Sequence, residues 1–291
     1  MSAQSYGAVD EETMRSTLEA ALEVGVTTLD CSAAWGDARG ERAIGEVLKS
    51  SDTEVQLIAR VESENSDDEA FSLEAFQGQC RTQVEGSLER LGVSKIDLVL
   101  LNHPDSALMD MPDWHMGLRA LVEEGLVGAW GVSTSRGSTA RLALTAGPDA
   151  LCLPYNLLHS RLLEEVSGEI MDAGCGVIAR TPLNYGMLGG HWAKFQGFDE
   201  GDHRRERWSR PVFEKRLTQM DLLRFLLHGD VREMASAALR FVLSHPAVVT
   251  TTLGARNPGQ IKHASKLIGE APYLDEEDMV RLQQILIATD D

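Results

Sequence analysis

A parallel α/β barrel of the (β/α)8 kind is the fold class this sequence predicts. Short β-branched runs alternate with amphipathic helical stretches, the alternation recurs without a break in composition, and the helical stretches close at glycines. Regular βα repetition of this sort favours a closed parallel barrel over an open sheet or a sandwich. With 291 residues, 43% of them hydrophobic, the chain can bury a full core, and it reads as a single barrel domain over 1–291.

The elements follow in order. Asp10 is placed to cap a helix over Glu11–Val24, with Met14, Leu18, Ala21 and Leu22 on one face and Gly25 at its end. A first strand spans Val26–Ser32 and a second Val55–Val61. The long helix Leu73–Leu91 ends at Gly92 and leads to a strand over Ile96–Asn102. Gly125 and Gly174 close the helices before the strands Gly128–Ser133 and Gly176–Pro182, with Ala150–Asn156 between them and Val248–Gly254 last. The segment His191–His228 interrupts the alternation. It carries Trp192, Phe195, Phe198, Trp208, Pro211 and the run His203-Arg204-Arg205-Glu206-Arg207, and it reads either as a lid over the barrel mouth or as a variable surface loop.

Lys and Arg total 27 against 45 Asp and Glu, a formal charge of -18, so the surface repels phosphate backbones and anionic headgroups. Nucleic-acid and membrane binding are therefore not expected. Lysine is scarce among the basic residues, which fits a salty habitat or a GC-rich genome equally. The longest apolar runs, Ile96–Leu101 and Ala247–Leu253, fall far short of the roughly 20 residues that span a bilayer. The start MSAQSYGAVDEE lacks the basic and apolar regions of a signal peptide, so a cytoplasmic location is expected. Cys31, Cys80, Cys152 and Cys175 lie far apart, with no CxxC pair and no ligand spacing, and read as buried thiols with no metal site.

In a parallel barrel the chemistry sits at the C-terminal strand ends, which selects Asp30, Arg60, Asn102, Ser133, Asn156, Thr181 and Gly254. Around these residues the chain resembles the aldo-keto reductase family. Ala20 through Asp30 resembles the family's "A-L-x-x-G-V-x-x-x-D" run, and Gly40-Glu41 through Gly45 its "S-E-x-x-x-G" helix. Val84 through Leu91, followed by Asp97-Leu98, resembles "E-x-S-L-x-R-L-x-x-D-x-x-D-L". Gly131-Val132-Ser133, Tyr155-Asn156-Leu157-Leu158, Pro182-Leu183 with Gly186, and Gly254-Ala255-Arg256-Asn257-Pro258 follow in the family's order.

The resemblance implies a nicotinamide-dependent oxidoreductase, usually using NADPH, that reduces the carbonyl of a small metabolite. Its catalytic tetrad is Asp, Tyr, Lys and His. Carried over position by position, the Asp is Asp30, but the Tyr falls on Trp35, the Lys on Arg60 and the His on Asn102. An indole N–H is no general acid at neutral pH, and loss of the acid alone costs on the order of 10²–10⁴ in rate. Arginine keeps the positive charge and can pair with Asp30, yet with a pKa above ~12 it relays no proton. Two consequences stand side by side: Arg60, Asn102 and the indole polarise an oxygen for altered chemistry, or Asp30–Arg60 is a structural ion pair in an inactive pseudoenzyme with a binding or regulatory role. His103 is a substitute base only if the strand bulges, since a one-residue offset turns it away from the barrel axis. Asp105 reads as a turn former.

For the cofactor, NADP(H), the resemblance places Arg256 at the 2′-phosphate and Gln260 at the adenine, with Ser133, Thr181, Leu183 and Gly254 along the phosphates and nicotinamide. The family's strand Gln is replaced by Cys152, its nicotinamide-stacking aromatic by Arg180 and its later Asn by Ala264. The family's opening hairpin and first strand have no counterpart, since ten residues precede Glu11. Unpaired edges on Val26–Ser32 and Val248–Gly254 are then expected to be covered by a second protomer, a partner protein or rearranged chain.

Overall fold

The computed structural model describes residues 9–63, 72–192, 194–195, 197–200 and 202–289. Seven strands form one parallel sheet in sequential order: β1 (Thr28–Asp30), β2 (Gln56–Glu62), β3 (Ile96–Asn102), β4 (Val127–Ser133), β5 (Ala150–Pro154), β6 (Gly176–Arg180) and β7 (Val248–Thr252). Each lies on one of the seven runs read from the sequence, trimmed or extended by a residue or two at the ends. The sheet curls into a nearly closed α/β barrel. Among the described residues no ladder joins β7 to β1. The helices flanking that junction, Glu11–Glu23 and Pro258–Leu267, pack side by side and are tied by Lys262 Nζ to Glu23 Oε2 at 2.7 Å. The segment Ser2–Ala8 lies outside the described residues, while Val9 is buried and its carbonyl accepts from Arg39.

Period-two alternation sorts the strand residues. Leu57, Ala59 and Val61 of β2 face the helices, whereas Ile58 joins Leu100, Ala150, Cys152 and Ile178 in a separate apolar layer inside the barrel. Continuing that inner face two residues at a time toward the C-terminal ends reaches Arg60 and Glu62 on β2, Asn102 on β3, Ser133 on β4 and Arg180 on β6. The register confirms their level: Glu62 pairs with Asn102, Asn102 with Ser133, and Ser133 with Cys152. Polar side chains at these positions replace what would otherwise be the top apolar layer.

Local signals set the helices. Asp10 accepts from Thr13 N at 2.7 Å and Ser72 from Ala75 N at 3.1 Å, each capping the helix that follows. Gly25, Gly92, Gly125 and Gly174 all adopt positive φ, the left-handed closing conformation. The first helix buries Met14, Thr17, Ala20 and Ala21, a face turned by one residue from the one carrying Leu18 and Leu22. Thr17 can face inward because its hydroxyl donates to Thr13 O at 2.6 Å, and small Ala20 admits a close neighbour.

The interrupting segment is folded. It contributes the helices Arg204–Arg207 and Arg210–Leu222, and its Trp208 and Phe213 are buried in a cluster with Trp192 and Phe198. Arg216 donates to Leu158 O at 3.0 Å and Arg204 to Tyr185 O at 3.5 Å. The segment is thereby fastened to the loops after β5 and β6, on the side of the barrel where the strands end.

Candidate active site

The polar inner-face residues converge on Arg60. Its guanidinium makes two parallel bonds to Asp30, Nε to Oδ1 at 2.9 Å and Nη2 to Oδ2 at 2.7 Å. Nη1 donates to Asn102 Oδ1 and Ser133 Oγ, each at 3.0 Å, and Nη2 also reaches Cys152 Sγ at 3.5 Å. A guanidinium has five N–H donors, and these five contacts use them all. Asn102 in turn donates through Nδ2 to both carboxylate oxygens of Glu62 at 2.9 and 3.0 Å. The Trp35 ring lies over the guanidinium, 5.0 Å from its carbon to the ring centroid.

Arg60 is almost wholly enclosed, its side chain 3% exposed against 10% for Asp30. Burial alone would push its pKa down, but the charge of Asp30 and the hydrogen bonds to it prevail, and the guanidinium titrates above its ordinary range. It is a fixed cation that neither gives nor takes a proton. The residues carried to the four tetrad positions are therefore brought together. Among the described residues, however, the donors of Arg60 and the amide of Asn102 are spent on the protein's own acceptors.

His103 departs from the expected facing. Its φ of +47° places it in the left-handed region directly after β3, which breaks the two-residue alternation. Its amide continues the ladder to Ser133 O at 2.8 Å, while the imidazole comes under the influence of the mouth cations. Burial, then the charges of Arg180, Arg60 and Arg136, pull its pKa from 6.5 down to about 4. The imidazole is neutral at pH 7. Asp105 takes the local role expected of it, capping a short helix through Leu108 N at 2.8 Å.

The positions implied for a nicotinamide cofactor divide into two ends. At the adenine end, Arg256 is exposed, and its guanidinium has no hydrogen bond or ion pair among the described residues. Gln260 Oε1 accepts from Arg256 N at 2.7 Å, while the Gln260 backbone N–H donates to Asn257 Oδ1 at 3.0 Å, so Asn257 caps the Pro258–Leu267 helix and the Gln260 side chain is turned back onto the loop before it. Gly254 stands exposed after β7.

At the nicotinamide end the fit fails. Ser133 Oγ and Cys152 Sγ both accept from Arg60, and Arg180 stands where the resemblance implies a stacking aromatic. Thr181, at φ +56°, turns its hydroxyl onto Arg180 O at 2.7 Å, and its carbonyl accepts from Asn156 Nδ2 at 2.9 Å. Leu183 packs against the core and caps the turn Asn184–Gly189. Arg180 sends Nη2 to Ser135 Oγ at 2.6 Å, and its Nε is buried without a partner. Burial, helped by the charge of Arg60, lowers its pKa from the ordinary guanidinium value.

Sequence reading missed Glu62, Ser135 and the part played by Cys152. Glu62 had a signal, since it stands two residues past Arg60 on the same strand face. Ser135 sits in a loop, and its contact depends on how far Arg180 reaches across the mouth. The four cysteines are buried, and burial pushes Cys80 up to about 12 and Cys175 to about 11, which keeps these two thiols protonated.

Comparisons with known proteins agree with this architecture. The sequence profile of the Aldo/keto reductase family matches residues 1–287. The aldo-keto reductase YhdN of Bacillus subtilis is 27% identical over 289 residues, spanning 97% of this chain and 86% of its own length. Among solved structures, the glycerol dehydrogenase AKR11B4 of Gluconobacter oxydans superposes with a TM-score of 0.81 at 24% identity, covering 98% of this chain and 88% of that one. The holo form of AKR11C1 from Bacillus halodurans gives 0.78 at 23% identity, over 98% and 90%. No helix among the described residues is long and apolar enough to cross a membrane. Fold, profile and motif order agree, and the chain belongs to the aldo/keto reductase family of oxidoreductases.

Proposed function

We infer that this chain is a diverged family member, a pseudoenzyme whose barrel mouth binds a small molecule without reducing carbonyls by the family's proton-donating route. One observation carries the reading: the five donors of Arg60 are all committed to Asp30, Asn102, Ser133 and Cys152. A site that stabilises a developing oxyanion needs donors aimed at the reacting oxygen, and a donor held by an internal acceptor does not serve. Trp35 supplies no general acid, and His103, with its pKa lowered to about 4, holds almost no imidazolium proton to give at neutral pH.

A second reading, an NADP(H)-dependent oxidoreductase acting on a small carbonyl compound by altered chemistry, is favoured by Arg256. Its exposed guanidinium suits a 2′-phosphate, the group that separates NADPH from NADH. Titration of the purified chain with NADPH and NADH, read by tryptophan fluorescence, tests it. Preference for NADPH supports use of Arg256; equal affinity, or none at millimolar concentration, removes this reading. A steady-state assay of aromatic aldehydes and ketones tests the first reading, for which turnover is expected to stay at background. Rates like those of ordinary reductases would overturn it. Soluble expression and gel filtration test the accompanying proposals of a cytoplasmic protein whose β1–β7 junction is covered by a second protomer or a partner.

A further inference from the structure

Above the saturated floor the mouth carries cations with no counter-charge. Arg180 ends β6 on the inner face, its Nη2 fixed by Ser135 and its Nε buried and unpartnered. Arg136 follows Ser135 and opens the helix Gly137–Thr145, whose first turn has no side-chain cap. Arg207 lies flat on the ring of Tyr185, 3.6 Å from guanidinium carbon to centroid, and Tyr185 stands in the loop that follows Arg180. None of these three arginines forms an ion pair among the described residues. Acidic residues outnumber basic ones 45 to 27 in this chain, so arginines left without carboxylates at one place are a departure from its composition. The strongest influences on His103 after burial are three cations, Arg180, Arg60 and Arg136, with no anion beside them.

We propose that the barrel mouth at Arg180, Arg136 and His103 binds the oxyanion group, carboxylate or phosphate, of a small molecule. The buried Nε of Arg180 and the free amides opening the Gly137–Thr145 helix supply donors, and the arginine charges supply the attraction. A nicotinamide ring carries no negative charge to match these cations, whereas a carboxylate or phosphate does. The inference names the ligand class of the pocket proposed above and rests on that reading.

The test is calorimetric titration of the full chain with malonate and, separately, inorganic phosphate, at ionic strength held constant with sodium chloride. Saturable binding of at least one anion is expected, weakened about tenfold or more in Arg180→Gln and unchanged in Arg210→Gln, which alters an exposed arginine on another helix. Tighter binding of malonate identifies a carboxylate ligand, and tighter binding of phosphate a phosphorylated one. Should Arg180→Gln fail to fold, Arg136→Gln and the shift of the His103 imidazole resonances on adding anion give the same answer. No saturable response to either anion, or equal affinity in the folded Arg180 and Arg136 variants, overturns the inference while a protein silent toward aldehydes leaves the preceding reading standing. NADPH-dependent aldehyde reduction by the same preparation overturns that reading instead.

Discussion

Glu41 and Arg90 join two motif runs of the chain: Arg90 Nε donates to Glu41 Oε2 at 2.6 Å, and Ser87 Oγ donates to Glu41 Oε1 at 2.9 Å. Glu41 is fully buried on the helix Arg39–Lys49, and its partners lie on Leu73–Leu91. The same pair of helices meets at Gly45, where a methyl group would fall 2.6 Å from Arg90 O and 2.8 Å from Leu91 O. The family motifs "S-E-x-x-x-G" and "S-L-x-R-L" are thus two halves of one helix–helix contact. Gly45→Ala is expected to cost about 1–3 kcal/mol through overpacking against backbone that cannot yield. Glu41→Gln is expected to cost a similar amount, about 1–3 kcal/mol, because Arg90 loses its counter-charge but keeps access to water. Urea denaturation of both variants checks this; wild-type midpoints would refute it.

Removing Arg60 strands Asp30. Arg60→Met leaves a carboxylate with a 10% exposed side chain facing no cation, and Asn102, Ser133 and Cys152 without their donor. Breaking a buried pair from one side costs about 3–5 kcal/mol. The double variant Arg60→Met with Asp30→Leu is expected to recover much of that loss. A thermal melt in which the double variant is no better than the single would show that the pair is not the source of the effect.

Restoring the family's residues is not expected to restore the family's reaction. Trp35→Tyr, Arg60→Lys and Asn102→His combined would supply the missing acid, relay and substrate-orienting groups, yet Arg180 and Cys152 would still stand at the positions the resemblance assigns to the nicotinamide. NADPH-dependent turnover of an aromatic aldehyde by the triple variant is expected to remain at background. Substantial turnover would show that the upper mouth accepts the cofactor as it stands.

His103 gives the chain a pH dependence of definite sign. Its pKa is about 4 in the folded protein against 6.5 when unperturbed, so between those values the unfolded chain binds more protons than the folded one. Its contribution is therefore constant above pH 6.5 and turns against folding as the pH falls toward 4. The imidazole resonance, identified by its loss in His103→Gln, is expected to titrate near 4 in the wild type. In Arg180→Gln it should move upward, since a cation is removed from beside it. A midpoint near 6.5 in both would contradict the structure.

The fold was legible because its signals are local and repeated. Asp10, Ser72 and the closing glycines act within a turn of themselves, and seven β-branched runs alternate with helices whatever their long-range partners. The place of Arg60, Asn102 and Ser133 at C-terminal strand ends followed from the same repetition. What escaped was tertiary or broke the local rule. The left-handed residue at His103 breaks the alternation just before Pro104, where the residue preceding a proline is ordinarily held extended rather than left-handed. The face of the first helix turns on which neighbour it packs against, and the hydroxyl bond from Thr17 to Thr13 lets a polar residue take the buried place of a leucine. The wiring of Arg60 to Cys152 and of Arg180 to Ser135 links residues 92 and 45 positions apart, which no window of sequence contains.

The ring of strands is zipped by backbone at six junctions and, among the described residues, by helices alone at the seventh. That makes the β7–β1 seam a latch whose fastening is partly ionic, since Lys262 and Glu23 are about half exposed and therefore screened by salt. Raising ionic strength loosens the latch and leaves the zipped junctions untouched. Fluctuations that open the barrel should then begin beside Asp30, at the margin of the charged floor, so that the solvent's salt content reaches the site through the architecture as well as through its charges.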